Sequence, residues 1–210
     1  MSTRELRAKR VFDLALALPL LGAAALPMLV IALLLRVVDG APVLFRQTRP
    51  GRDGQPFTVL KFRTMRAGSA TDDARLTPLG RLLRALSLDE LPQLLNVVRG
   101  EMSLVGPRPL LPQYIARYSA RQMRRHEVPP GITGLAQVAG RNALSWEERF
   151  ELDVWYVEHR TLALDVRLLA RTVLAVLDRR GVSAQGHATM PEFMGTAPVE
   201  AARSFALRTE

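Results

Sequence analysis

The sequence predicts a mainly α fold with one small β-hairpin. A membrane-embedded helical hairpin leads into a compact domain whose amphipathic helices lie at the membrane interface. Three observations predict it. Leu14 to Leu35 contains no charged side chain and reads LALALPLLGAAALPMLVIALLL. Two strand-like runs flank the turn cluster Arg49-Pro-Gly-Arg-Asp-Gly54. Beyond them, apolar residues recur at helical spacing, with Thr-Pro and Gly as start and stop signals.

The apolar run comes first. As a helix its length is about 33 Å, enough to span a bilayer core. On length alone, one ordinary transmembrane helix is the plain reading. Pro19, Gly22 and Pro27 inside the run favour a kink instead. The flanks argue the same way, because both are basic. Arg4, Arg7, Lys9 and Arg10 precede the run, and Arg36, Arg46, Arg49 and Arg52 follow it. A spanning helix biases its cations to one side. A re-entrant hairpin bent near Pro27 is therefore preferred, with the rest of the chain cytoplasmic. The expected units are residues 1–38 as membrane hairpin, 39–195 as a single domain and 196–210 as a loose tail.

Val43–Gln47 is expected as a strand and Phe57–Phe62 as its return. Ala67–Asp73 reads as a mobile loop. Thr77-Pro78 starts a helix with an apolar stripe at Leu79, Leu82, Leu83 and Leu86. A second helix runs from about Pro92 to Val98 and stops at Gly100. Tyr114–His126 reads as a basic helix and Val128–Gly140 as a Pro/Gly-rich loop with a short extended piece. Trp146–His159 and Val166–Arg180 read as helices, the latter ending at Gly181.

Composition narrows the chemistry. The 210 residues carry 29 basic and 20 acidic side chains, a net charge of +9, which favours an anionic partner. Nucleic acid is disfavoured, since aromatics are only 6% and no known nucleic-acid-binding motif is present. The absence of cysteine excludes disulfides, a thiol nucleophile and Cys-ligated metal. His126, His159 and His187 are too scattered for a histidine zinc site.

One pair of acids stands out. Asp89-Glu90 follows Ser87-Leu88, and Ser87…Glu90 matches a capping box, a purely structural role. Pro92 would then be the fifth helical residue, where its ring and missing amide work against the helix. A helix starting at Pro92 leaves both acids just ahead of it. Around them in sequence lie Lys61, Arg63, Arg81 and Arg84, and the rigid Gly106-Pro-Arg-Pro109 aims Arg108. Paired acids amid several cations suit a divalent metal and a phosphorylated ligand.

These residues lie in blocks that resemble a known family. Asp89-Glu-Leu-Pro-Gln-Leu-Leu-Asn-Val-Val-Arg-Gly-Glu-Met-Ser-Leu-Val-Gly-Pro-Arg-Pro109 is similar to the signature of the bacterial sugar transferases. These are monotopic polyprenol-phosphate phosphoglycosyl transferases. Lys9–Asp13, Gln47–Gly51, Lys61–Met65, Pro130–Gly134 and Gly140-Arg-Asn142 match in order, so the resemblance covers Lys9 to Gly195. In length the chain resembles the minimal, catalytic-domain-only members. The segment Gly181–Gly195 looks most like enzymes acting on UDP-bacillosamine-type sugars in protein glycan assembly.

The resemblance implies that Asp89 attacks a UDP-sugar, releasing UMP and forming an aspartyl-phosphosugar that polyprenol phosphate resolves. It implies Mg²⁺ on Glu90 and Asp89, with Lys61, Arg84 and Arg108 on the diphosphate and Arg63 as a further substrate-binding residue. Arg141 and the Pro130–Gly134 loop with Thr133 would meet the uridine or phosphate end. Location at the inner membrane follows, and a homodimer stays open. The chain departs from the family at Leu26-Pro27, where Ser-Pro is usual, at Pro129, where relatives carry a basic residue, and at Ala139, where Asn is common. A non-catalytic basic membrane-anchored protein and a membrane phosphatase or pyrophosphatase are the competing readings.

Overall fold

The computed structural model describes residues 3–68, 71–140, 144–178 and 192–195. Its first element, α1 (Thr3–Val38), is one helix running through both Pro19 and Pro27. Two arms separated by a break at Pro27 are therefore not seen. Each proline deletes only its own N–H, and packing of a helix face outweighs such losses.

The packed face is regular. Ala17, Leu21, Ala24, Met28, Ile31 and Leu35 recur at three- and four-residue intervals and bury against the rest of the chain. The other face leaves Leu18, Leu26, Leu29, Leu33 and Val37 outward. By length and composition α1 is apolar enough to cross a membrane.

Strands β1 (Leu44–Pro50) and β2 (Pro56–Phe62) pair antiparallel in register from Leu44↔Phe62 to Pro50↔Pro56. The turn between them holds Asp53 at φ 53° and Gly54 at φ 73°. Asp72–Arg75 forms α2, a single turn that starts at the end of the segment expected as loop and runs past it. In α3 (Pro78–Ala85) the Thr77 hydroxyl accepts from the Gly80 amide, the expected cap. Leu83 is buried and Leu79 packs beside it, but Leu82 faces out, against the expected stripe. Helix α4 (Gln93–Arg99) ends at Gly100, which takes the left-handed conformation at φ 86°.

A second, two-stranded sheet was not foreseen. Strand β3 (Ser103–Val105) runs parallel to β4 (Gly131–Thr133). Glycine makes this approach possible: a Cβ on Gly131 would come within 2.1 Å of the Gly106 nitrogen. The expected basic helix Tyr114–His126 is instead three pieces: a 3-10 segment Pro112–Arg117, α5 (Ala120–Met123) and a 3-10 turn Arg124–Glu127. Tyr118 is extended between them, and Ser119 restarts the helix with a capping box to Gln122.

The Pro/Gly-rich segment closes with α6 (Leu135–Ala139). Helix α7 (Trp146–His159) matches its expected bounds, capped by Ser145 with Glu148. Helix α8 (Leu162–Asp178) begins earlier than expected, where the Thr161 hydroxyl accepts from the Leu164 amide. The end of that helix at Gly181 and the tail from 196 lie outside the described residues.

The main core joins α1, α4, β3 and α8 through Ala17, Val97, Met102, Val105 and Leu168. A second cluster joins Ile31 and Leu35 to Phe62 and Leu83. A third, aromatic one gathers Tyr114, Phe150 and Phe193 around Leu110.

Polar ties fix the start of α1. Lys9 Nζ sits 2.9 Å from Asp13 Oδ1 and 2.7 Å from Asp165 Oδ2. Asp13 accepts from the Ser103 hydroxyl and the Leu104 amide. Arg10 donates to the carbonyls of Val97 and Val98, neutralising the C-terminal end of α4.

Candidate active site

Ser87 takes a left-handed conformation, φ 56° and ψ 18°, and its side chain makes no capping bond. The capping-box explanation of Glu90 therefore fails. A non-glycine residue held there costs energy, and such strain gathers at functional sites. It turns Leu88–Glu90 into one 3-10 turn just before α4 and tucks Asp89 to 8% exposure.

The neighbouring elements are pinned to one another. Asn96 on α4 accepts from the Leu60 amide at 3.1 Å and donates to the Thr58 carbonyl at 2.8 Å. That bridge sets β2 against α4 and brings Lys61 to Glu90, with Nζ 2.6 Å from Oε1. Arg108 arrives from the other side on the segment after β3, placing Nη2 2.7 Å from the same oxygen. Its position is held from behind. Arg125 donates to the Arg108 carbonyl at 2.7 Å and pairs with Asp153 at 2.7 Å, both side chains almost fully buried.

The two acids differ in their titration. Burial, then the adjacent Glu90 carboxylate, pushes Asp89 up to about 6, against the pull of Lys61, Arg84 and Arg108. Burial would also raise Glu90, but Arg108 and Lys61 overrule it and hold that carboxyl well below its usual range. Burial lowers Lys61, with Glu90 opposing. Glu90 is thus a fixed anion that keeps two cations in place. Asp89 is the carboxylate with access to both protonation states near neutrality.

Lys61, Arg84 and Arg108 all act electrostatically on Asp89. Arg84 also donates through Nε to the Thr64 hydroxyl at 3.0 Å. Arg63 turns away: its guanidinium donates to the carbonyls of Asp39, Gly40 and Ala41 and holds the chain leaving α1. Thr133 shares a 2.7 Å hydroxyl contact with Thr172 on α8. Arg141 lies outside the described residues. Among the described residues no group of three or more acids or histidines is gathered for a metal. Asp89 and Glu90 still fit Mg²⁺, which takes one or two carboxylates and completes its shell with waters and substrate phosphates.

Sequence reasoning missed Asn96, Arg125, Asp153 and the Lys9–Asp13–Asp165 group. The paired Lys9 and Asp13 were visible as a block, but their partner lies far along the chain.

The site is thus a pair of acids ringed by cations, set beside a helix long and apolar enough to cross a membrane. Residues 4–179 match the bacterial sugar transferase family, and the chain belongs to it. It is 50% identical over 197 residues to an uncharacterized sugar transferase, EpsL, of Bacillus subtilis, covering 91% of this chain and 98% of that protein. It is 42% identical over 193 residues to the UDP-glucose:undecaprenyl-phosphate glucose-1-phosphate transferase of Caulobacter vibrioides, covering 80% of this chain and 69% of that one. To the undecaprenyl-phosphate galactose phosphotransferase of Salmonella typhimurium it is 37% identical over 196 residues, covering 82% of this chain and 41% of that one. The protein is accordingly an enzyme, a sugar transferase.

Proposed function

We propose that this enzyme moves a sugar-1-phosphate from a UDP-sugar to polyprenol phosphate, through a covalent intermediate on Asp89. The observation that carries the proposal is the buried Asp89 beside a Glu90 already neutralised by Lys61 and Arg108. An Asp89 Oδ attacks the β-phosphorus, the bond to the bridging oxygen breaks, and UMP leaves with the electron pair. An oxygen of polyprenol phosphate then attacks the same phosphorus, and Asp89 departs as carboxylate. Two displacements let one site serve a soluble and a lipid substrate in turn.

Both attacks bring an anion to an anionic centre, so charge neutralisation is the chief catalytic task. Lys61, Arg84 and Arg108 supply it from fixed positions. The planar Arg108 fork suits phosphate oxygens. Glu90 and Asp89 would hold Mg²⁺, which would supply further positive charge when bound.

The membrane reading is part of the proposal. Lys9 at one end of α1 and Leu35 at the other are both fixed to the same domain. That supports a monotopic arrangement, in which α1 dips into the inner membrane from the cytoplasmic face and Pro27 bends it there. Exopolysaccharide, capsule or glycoprotein glycan assembly is the setting of such a first membrane step.

A screen of UDP-sugars for UMP release, with and without undecaprenol phosphate, tests the proposal. One equivalent of UMP should appear without acceptor, and continuous release should require it. Continuous release into water alone would point to a phosphatase or pyrophosphatase, and no release with any UDP-sugar would contradict the transferase reading.

A further inference from the structure

Gln93 opens α4, one turn beyond Asp89, and the mechanism above gives it no part. It is 2% exposed, and its Nε2 has no hydrogen-bond partner among the described residues. A buried donor left unpaired is costly, and one kept beside an active site calls for an explanation.

Contacts on either side fix where Gln93 stands. The Glu90 amide donates to the Ser87 carbonyl at 3.3 Å, Leu91 to Leu88 at 3.3 Å, Leu94 to Leu91 at 3.0 Å and Leu95 to Pro92 at 3.1 Å. Such a three-residue repeat eclipses side chains at i and i+3, which stacks Gln93 on Glu90. Asn96 follows three residues later on the same face of α4. Both neighbours are tied to β2, with Glu90 Oε1 2.6 Å from Lys61 Nζ and Asn96 Oδ1 3.1 Å from the Leu60 amide. Gln93 is held between these two ties, at the buried junction of α4 and β2. Long helical side chains lean back toward the helix N-terminus, over the residues three and four positions earlier. For Gln93 those residues are Glu90 and Asp89.

We propose that Gln93 is a further catalytic residue, its Nε2–H donating to a non-bridging oxygen of the phosphoryl group while that group is bonded to Asp89. The inference rests on the double displacement proposed above, and it deepens that reading by naming a donor for the intermediate. The amide keeps its protons throughout. Its hydrogen bond forms as phosphorus reaches the Asp89 oxygen and ends when polyprenol phosphate expels the carboxylate.

The other donors here are already engaged. Lys61 and Arg108 share Glu90 Oε1, and Arg84 Nε donates to the Thr64 hydroxyl. Gln93 Nε2 gives up no partner when an acceptor arrives. A donor that is idle at rest and engaged only at the phosphorylated aspartate lowers the barrier without tightening substrate binding. Its loss therefore falls on kcat and not on KM. Idleness also leaves a mark on stability. Removing an unpaired buried amide relieves the fold, whereas removing a structural hydrogen bond weakens it.

The test uses the full chain in nanodiscs with the UDP-sugar that releases most UMP. Melting temperature, kcat and the KM of each substrate are measured for wild type, Gln93→Met, Gln93→Glu and Gln113→Met, whose glutamine pairs with Glu192 at the surface. Methionine keeps the length of the side chain and drops the amide. Gln93→Met should lose about a hundredfold in kcat, hold both KM values within about threefold and melt no lower than wild type. Gln113→Met should match wild type in kcat. A Gln93→Met kcat within about threefold of wild type, a KM that moves as far as kcat, or a lower melting temperature would overturn the inference. If Gln93→Met does not fold, Gln93→Glu keeps the shape and turns the donor into an acceptor. The same loss of kcat is expected of it, and a kcat within about threefold of wild type would overturn the inference equally. If the wild type releases no UMP, or carries no covalent label on Asp89, the double displacement fails by itself. Beryllium fluoride with Mg²⁺, a mimic of a phosphoryl group on an aspartate, then decides the donor. Binding to Gln93→Met about tenfold weaker than to wild type supports it, and equal or absent binding overturns it.

Discussion

Lys9 Nζ stands 2.7 Å from Asp165 Oδ2, an ion pair that ties the first turns of the apolar helix to α8, 156 residues later. The Tyr156 hydroxyl lies 2.7 Å from Asp165 Oδ1 and 3.1 Å from the Val105 carbonyl, its one proton shared between the two acceptors. The clamp therefore reaches β3, the strand that leads directly into Arg108. Removing one partner of a buried pair strands the other charge. Lys9→Met should cost about 3 kcal/mol of stability in denaturant unfolding of the detergent-solubilised chain. The double change Lys9→Met with Asp165→Leu should recover only part of that loss, because Asp13 also loses its Lys9 partner. A single change with no effect would show that the clamp carries no stability.

Arg108→Lys keeps the charge and loses the planar fork that reaches Glu90. The expected loss of kcat is on the order of a hundredfold, comparable with removing one preorganised donor to a developing oxyanion. Arg121→Lys alters only an exposed pair with Glu151 and should be close to neutral. Small, equal effects at both positions in UMP-release assays would reduce Arg108 to a surface charge.

The pH dependence follows from Asp89. Attack needs the carboxylate, so kcat/KM should rise as pH climbs through about 6 and then level off. Stability runs the opposite way. An acid whose folded value lies above its unfolded one contributes stability in full below the unfolded value and loses it as pH rises through about 6. Asp89→Asn, locked neutral, should melt on the order of 2–4 °C higher than wild type at pH 8, with the gap closing by pH 4. A rate profile flat from pH 5 to 7 would contradict the assignment.

Topology can be read with a single thiol, because the chain has no native cysteine. Ala8 is exposed near the start of α1. Ala8→Cys should resist a membrane-impermeant maleimide in intact cells and label after lysis. Adding Pro27→Leu, which restores an amide donor inside α1, should make a fraction reactive from outside. Labelling of Ala8→Cys alone in intact cells would restore a spanning helix and put Arg7, Lys9 and Arg10 across the membrane.

What could be read in the sequence was local. Thr77-Pro78 announced α3, Gly100 the end of α4 and Ser145…Glu148 belongs to a helix whose bounds were met, because caps act over three or four residues. Asp89, Glu90 and Arg108 were legible through one block of motif. Tyr114–His126 misled because its composition suits a helix, while the extended Tyr118 that divides it answers to packing in the aromatic cluster. The β3–β4 pair is three residues on each side, too short to show any alternation. Arg63 looked like a ligand because it shares a strand run with Lys61. Yet it lies just past the end of β2, and its fork caps the carbonyls after α1. Arg125 and Asp153, 28 residues apart, could be joined only by the fold.

The most direct measurement is covalent capture on Asp89. The protein is mixed with a productive UDP-sugar labelled in the β-phosphate, without polyprenol phosphate, and label retained on the denatured chain is counted. Close to one label per active chain is expected, discharged by added undecaprenol phosphate and absent from Asp89→Asn. Label retained on Asp89→Asn, or UMP release by the wild type with no labelled protein at any time, would contradict it.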